Sequence, residues 1–341
     1  MRKIDVFEYI CKTESINKRC YVRLNSLWWE KIRFLIKTKN RNLYKWSRKL
    51  KINYYTAKYE ISRASYHSLK RLLLIVNLLD VRKKEIIDNI IGFRVRGSTH
   101  RGDVILPRCI IIDNQFVEGY ALYLAEGDTG ANGDTIPRKL RFTNSELSVI
   151  NLFIRWLKKN FPLIDFYVSV IQPPELTLPV NYPEYLSQKL KINRQKFRVT
   201  RDYYNKKVKY RVCCDNALLI DLFLSWNSLI KKVCLENKTL AEAYLKGMMA
   251  GEGTIYLKRS RYVRIEMRNK TEIYYLHKLL KALGYKNKCT VRSNRPNMWS
   301  IFIGAKELKK FAEEIGFGSQ EKRNRLLKKA VNKRLKKNQY N

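Results

Sequence analysis

The chain has 341 residues, 45% of them hydrophobic, and carries 70 Lys+Arg against 30 Asp+Glu for a net charge of +40. That length and apolar content allow two or three domains with a full core and exclude a disordered chain. A charge excess of this size self-repels unless a polyanion neutralises it, and it runs through every third of the chain rather than through a basic tail.

The 22 Tyr and 6 Trp are interleaved with the basic residues, a mixture suited to phosphate contact and base stacking. Composition bias is the plainer reading of the charge; a nucleic acid is the expected partner. No apolar run reaches transmembrane length, and the start, Met1-Arg-Lys-Ile-Asp-Val-Phe7, has no apolar leader region. No membrane partner and an intracellular location, in cytoplasm or nucleoid, are therefore expected. The seven cysteines (11, 20, 109, 213, 214, 234, 289) are irregularly spaced and include no Cys-x-x-Cys; only His67, His100 and His277 could join them. Reduced, mostly buried thiols are expected, rather than a zinc site or a disulfide framework.

In chain order, residues 25–80 read as helical, and 1–80 as a small helical domain. Leu43, Trp46 and Leu50 fall at helical spacing, a turn follows at Lys51 and Ile52, and Asn53 is the expected N-cap of the next helix. That helix would carry Tyr54, Tyr55, Lys58 and Tyr59 outward, a helix-turn-helix pattern able to enter a major groove. An ordinary pair of helices is the alternative, and Lys51 stands where such a turn usually has Gly. Residues 81–115 read as a basic linker, with Arg94, Arg96 and Arg101 as phosphate contacts and Gly97 and Gly102 as breakers.

From 116 to about 335 one unit occurs twice. The first copy, 116–236, opens with a helix ending at Glu126. A polar segment with Gly130 and Gly133 leads into a strand over 138–143, and a helix follows over 146–159 with Leu147, Ile150, Phe153, Ile154 and Leu157 on one face. A strand over 164–171, a Pro-containing excursion, a hairpin of 196–199 with 207–213, and a helix over 217–233 complete it. The second copy, 237–335, has a helix over 240–251, strands at 254–258 and 261–267, a helix at 272–283 stopped by Gly284, a hairpin of 290–293 with 298–303, and helices at 306–315 and from 320. Residues 336–341 are a tail. Each copy reads α-β-β-α-β-β-α, and internal repetition defines the architecture.

Both copies open on a related nonapeptide, Gly119-Tyr-Ala-Leu-Tyr-Leu-Ala-Glu-Gly127 and Leu245-Lys-Gly-Met-Met-Ala-Gly-Glu-Gly253. Ala121/Ala125 and Gly247/Gly251 are small pairs at i and i+4, on one helix face. Helices that cross on such faces pack nearly backbone to backbone. The next residue on each, Glu126 or Glu252, then reaches the same point. Two carboxylates there repel unless cations lie between them, which is what metal-assisted phosphodiester cleavage uses. An acid that merely ends a helix opposes the helix dipole, and here that would happen twice.

Over about 116–335 the sequence resembles a single-chain LAGLIDADG homing endonuclease. It departs from the family name in having Glu rather than Asp at both acids and Tyr120 and Lys246 at the second motif position. The resemblance implies an α+β, pseudo-twofold monomer: two four-stranded antiparallel sheets form a saddle over double-stranded DNA, with the motif helices as the spine. It implies Mg²⁺ or Mn²⁺, two or more ions, held by Glu126, Glu252 and the backbone carbonyls of Ala125 and Gly251, and hydrolysis of both DNA strands in homing of an intron or other mobile element. Asn144, Arg268, Lys270 and Lys258 are the candidate peripheral catalytic residues, with general phosphate contact or a solvated face as the alternative for each. Arg138, Arg141, Lys258, Arg261, Arg264 and Arg292 are expected DNA contacts, each with a solvated face as the plainer reading. Asp128 reads as structural, because Thr254 holds the equivalent place.

The alternative function is nucleic-acid binding without catalysis, as an RNA maturase or a helix-turn-helix transcription regulator, with RNA as a further candidate partner. Self-splicing is disfavoured, since of its residues only the final Asn341 is in place.

Overall fold

The computed structural model describes residues 2–39, 42–62, 66–96, 102–128, 139–257, 260–292 and 295–332. Among the described residues the fold is α+β, with three sheets and a two-stranded ribbon.

The N-terminal part contains β1 (Arg2–Asp5), α1 (Val6–Lys12), α2 (Glu14–Asn17), β2 (Cys20–Leu24), α3 (Ser26–Lys39), α4 (Leu43–Lys49), α5 (Tyr54–Ser62), β3 (Tyr66–Ser68), α6 (Leu69–Leu78), α7 (Lys83–Asp88), β4 (Ile90–Val95) and β5 (Cys109–Ile112). Two sequence expectations change here. Residues 1–80 are not purely helical: β2 is the centre of a three-stranded sheet in the order β3-β2-β4. Residues 81–115, expected as a basic linker, contain α7, β4 and β5; β4 completes that sheet and β5 pairs antiparallel with β1. The reason is period. Cys20–Leu24 alternates buried and part-buried residues as a half-buried strand does, and Arg94 is the outward residue of β4 between buried Phe93 and Val95. Read for charge alone, Arg94 and the following Arg96 hide the strand.

In the first repeat, α8 (Asn114–Glu126), β6 (Gly127–Asp128), β7 (Leu140–Asn144), α9 (Leu147–Asn160), β8 (Tyr167–Gln172), α10 (Tyr182–Leu190), β9 (Phe197–Arg201), β10 (Lys209–Cys214) and α11 (Ala217–Glu236) follow in order. The second has α12 (Lys238–Glu252), β11 (Gly253–Tyr256), β12 (Tyr262–Met267), α13 (Lys270–Ala282), β13 (Asn287–Val291), β14 (Trp299–Gly304), α14 (Leu308–Glu314) and α15 (Glu321–Asn332). The sheet of the second repeat runs β11-β12-β14-β13, all antiparallel, and the first runs β6-β7-β10-β8 in the same order.

The first sheet departs from expectation at its edge. β9 and β10 do not form a hairpin: β9 is a fifth strand, parallel to β8. The excursion before it contains α10, with Pro183 in its first turn. A parallel edge strand needs a crossover of a dozen residues or more, and α10 supplies it. Both sheets bury one face on the core, which continues into the N-terminal part. There Arg19 bonds Asp221 of α11 at 3.0 Å, and the Tyr9 hydroxyl donates to the Ser225 carbonyl at 2.9 Å.

Candidate active site

The motif helices α8 and α12 cross face to face. A Cβ placed on Gly247 would lie 2.3 Å from the Glu118 carbonyl oxygen and 2.9 Å from the Ala121 Cβ; one on Gly251 would lie 2.5 Å from the Ala125 Cβ and 2.9 Å from the Glu126 Cγ. No side chain larger than hydrogen fits at either position without moving a helix, so the small pairs read from the sequence are the crossing itself. Each helix starts on a side-chain cap: Asp113 accepts from the Phe116 N–H at 2.6 Å and Asn237 from the Leu240 N–H at 3.1 Å. Gly119 serves another contact, since the Trp156 ring of α9 lies against it and the indole N–H donates to the Phe116 carbonyl at 3.0 Å.

The crossing delivers Glu126 and Glu252 together at the helix C-termini. Burial, then the nearby Glu252 carboxylate, push the Glu126 carboxyl up to about 7; burial also raises Glu252. Asn144, itself buried at the end of β7, donates to the Glu126 Oε1 at 3.1 Å and accepts from the Glu146 N–H at 2.9 Å. This side of the pair opens into a cleft of about 600 Å³ whose walls include Asn205, Lys209, Arg211, Gln320, Lys322 and Arg323.

Arg323 is the residue that sequence reasoning missed. Its Nη1 donates to the carbonyls of Gly251 at 2.8 Å, Ala250 at 2.9 Å and Met249 at 3.3 Å. The Ala250 and Gly251 carbonyls end α12 without an intrahelical partner, whereas the Met249 carbonyl also accepts from the Gly253 N–H. Burial lowers the Arg323 pKa, and the two carboxylates oppose that shift. A signal was present: Arg323 stands four residues before buried Leu327 and seven before buried Ala330, on the apolar stripe of α15.

The two halves of the site differ. In each sheet the motif glycine pairs with a fixed residue, Gly127 with Phe142 and Gly253 with Ile265. Two positions on, Asn144 corresponds to Met267, which has no group to donate to a carboxylate. Arg268 therefore lies one residue past the position expected for it, and it is exposed. Lys270 opens α13 with its Nζ 5.0 Å from the Trp299 ring centroid, where it takes part in a cation–π contact.

The expected DNA contacts are similarly divided. Tyr54, Tyr55, Lys58 and Tyr59 are exposed on α5. Arg96 is exposed, whereas Arg94 stacks on Tyr66 at 3.7 Å and faces Asp103. Arg141 forks onto Asp128 with both contacts at 2.5 Å, so that Asp128 has a structural partner. Arg264, its counterpart, bonds Tyr256 and Glu266; Arg292 also pairs with Glu266, at 2.6 Å, and Arg261 donates to the Ala330 carbonyl at 2.6 Å. Arg101, Arg138 and Lys258 lie outside the described residues.

Between α4 and α5, Lys51 has a φ of +53° and Asn53 caps α5 by accepting from the Thr56 N–H at 2.8 Å. The left-handed turn is thus made without the glycine it favours.

Residues 239–316, which span α12 to the end of α14, match the family model described as a LAGLIDADG-like domain. The second repeat is therefore a LAGLIDADG-like domain. No curated protein matches it. Among solved structures, I-DmoI in complex with DNA and Mn is similar at 14% identity and a TM-score of 0.38, over 60% of this chain and 97% of that one. Full-length DUF199/WhiA from Thermatoga maritima is similar at 13% identity and a TM-score of 0.39, over 65% of this chain and 61% of that one. Likenesses this distant leave activity to be argued from the site of this chain itself.

All seven cysteines are free thiols, and among the described residues no three His, Cys, Asp or Glu side chains cluster as a metal site. Among those residues, too, no helix is long and apolar enough to cross a membrane.

Proposed function

We propose that this chain is a LAGLIDADG protein and a divalent-metal-dependent endonuclease that hydrolyses phosphodiester bonds of double-stranded DNA at a long, specific site. The observation that carries the reading is the arrival of two part-buried carboxylates, Glu126 and Glu252, at one helix crossing in a chain of net charge +40. Two carboxylates with raised pKa values are costly without a cation and become favourable with one.

The donor set is all oxygen, as Mg²⁺ or Mn²⁺ requires: Glu126, Glu252 and the Ala125 carbonyl, with the Gly251 carbonyl shared with Arg323. A bound ion would supply Lewis-acid polarisation of the phosphate and a water of lowered pKa. The chain's own groups do the rest. Asn144 fixes the rotamer of Glu126 by its 3.1 Å hydrogen bond. Lys209 and Arg211 on the cleft wall present positive charge where a phosphate would enter. The saddle faces of the two sheets, and the outward face of α5, would hold the duplex on either side, so one chain forms the complete site.

Homing of the intron or mobile element that encodes the chain is the proposed role. A second reading, DNA binding without cleavage, is favoured by one feature, the helix-turn-helix arrangement of α4 and α5 around Lys51. Incubating the protein and Mg²⁺ with a plasmid that carries the uninterrupted genomic sequence flanking its gene separates them. The endonuclease reading expects linear product that chelator abolishes; tight retention of that DNA with neither nick nor break, at any Mg²⁺ or Mn²⁺ concentration, refutes it.

A further inference from the structure

The two carbonyls that would complete the acid pair as ion ligands are not in the same state. Gly251, paired with Glu126, already accepts a hydrogen bond from the Arg323 guanidinium at 2.8 Å. Among the described residues no side chain hydrogen-bonds the Ala125 carbonyl, which pairs with Glu252. A guanidinium is permanently charged and presents a fixed fork. At the C-terminus of α12 it meets the negative end of the helix dipole as well as the otherwise unpaired carbonyls of Ala250 and Gly251.

Arg323 is not a mobile surface side chain that settled there. Its helix is held from both repeats. Lys322 pairs with Glu146 of the first repeat at 2.8 Å, and the Ser148 hydroxyl donates to the Ser319 carbonyl at 2.9 Å. In the second repeat, Arg261 reaches the Ala330 carbonyl at 2.6 Å, and Asn324 accepts from the Phe317 N–H at 3.0 Å and donates to the Gly318 carbonyl at 2.8 Å. Leu327 and Ala330 are buried beneath it. A dication on the Gly251 carbonyl would share that oxygen with a fixed positive charge.

We propose that Arg323 is a resident cation in place of one of the two ions, so that the acid pair takes a single divalent ion, at Glu252 and the Ala125 carbonyl, while α15 is docked. This rests on the metal-dependent reading above. Arg323 is a positioning residue in this account: it acts through the Gly251 carbonyl and contributes nothing to the reacting atoms.

Calorimetric titration of the full chain with Mn²⁺, without DNA, tests it. Wild type is expected to bind one acid-dependent ion, lost in Glu252→Gln and retained in Glu126→Gln. Arg323→Met is expected to bind two, the added ion at no worse than tenfold weaker affinity and lost in the double variant with Glu126→Gln. Arg323→Lys keeps the charge and is expected to bind one. Two acid-dependent ions in wild type overturn the inference, and this arm needs no variant of Arg323 to fold. Equal stoichiometry and affinity in wild type and Arg323→Met, both abolished by the acid substitutions, overturn it while leaving the metal-dependent reading intact. No acid-dependent Mn²⁺ binding in any of these proteins overturns both.

Discussion

Replacing Gly247 by Ala should open the helix crossing. The new Cβ would sit 2.3 Å from the Glu118 carbonyl oxygen and 2.9 Å from both the Ala121 Cβ and the Leu122 nitrogen. Comfortable contact is about 3.5 Å, so α8 and α12 must separate by about 1 Å at this point. Two of the three obstructing atoms are backbone and cannot rotate away, which puts the overpacking penalty near the top of its usual range, about 3 kcal/mol. Alanine's better helix propensity returns about 1 kcal/mol. The expected net loss is about 2 kcal/mol, read as a lower urea midpoint at unchanged slope. Gly304→Ala is the control, because nothing lies within 4 Å of its Cβ; it should change stability by less than about 0.5 kcal/mol. The same separation moves Glu126 away from Glu252, so metal-dependent activity should fall further than stability does. A Gly247→Ala protein as stable as wild type would refute the close-crossing argument.

The acid pair should also make stability depend on pH. Glu126 ionises near 4.5 when unfolded and near 7 when folded, so between those values the folded state retains a proton that the unfolded state has lost. Stability therefore falls as pH rises through that window, by about 3 kcal/mol in total; urea midpoints of wild type and Glu126→Gln should diverge across it, and parallel curves would contradict the shift. Lys51→Gly should stabilise the protein by about 1 kcal/mol or less, because Lys51 adopts a φ of +53° that glycine enters freely; a lower melting midpoint would mean that the Lys51 side chain contributes more than its backbone costs. DNA affinity should drop about a thousandfold or more between roughly 50 and 200 mM salt if six or more phosphates are neutralised. Replacing exposed Tyr55 and Lys58 with Ala should weaken DNA binding without lowering the melting midpoint, and unchanged affinity would remove α5 from the interface.

The motif helices were legible because their signal is local: small residues four apart, then an acid, then a glycine, twice. In the second repeat β12 was legible for the same reason, since it alternates over a short span, whereas β13, which does not alternate, starts at Asn287, three residues before its expected start. What escaped was set by tertiary partners. β9 reads as half of a hairpin with β10 because they are neighbours in sequence, but α10 carries β9 to the far edge of the sheet, where it runs parallel to β8. β4 escaped because Arg94, with Arg96 just after it, reads as linker charge although Phe93 and Val95 on either side of Arg94 are buried. Arg268 and Lys270 were chosen by proximity along the chain, and strand register puts Met267 opposite Asn144's role instead. Arg323 lies 71 residues beyond Glu252, and only the return of α15 across both repeats brings it to the pair. Arg264 and Arg292 look like phosphate contacts until Glu266 is seen between them.

The central claim is that Glu126 and Glu252 form one composite site that neither repeat possesses alone. Single-turnover cleavage of the flanking-sequence plasmid by wild type, Glu126→Gln, Glu252→Gln and the double variant measures this directly, as a double-mutant cycle. A shared site predicts that each single substitution costs nearly as much as both together, with either one reducing double-strand cleavage by about a hundredfold or more. Wild-type cleavage of both strands by either single variant, or losses that simply add, would contradict it.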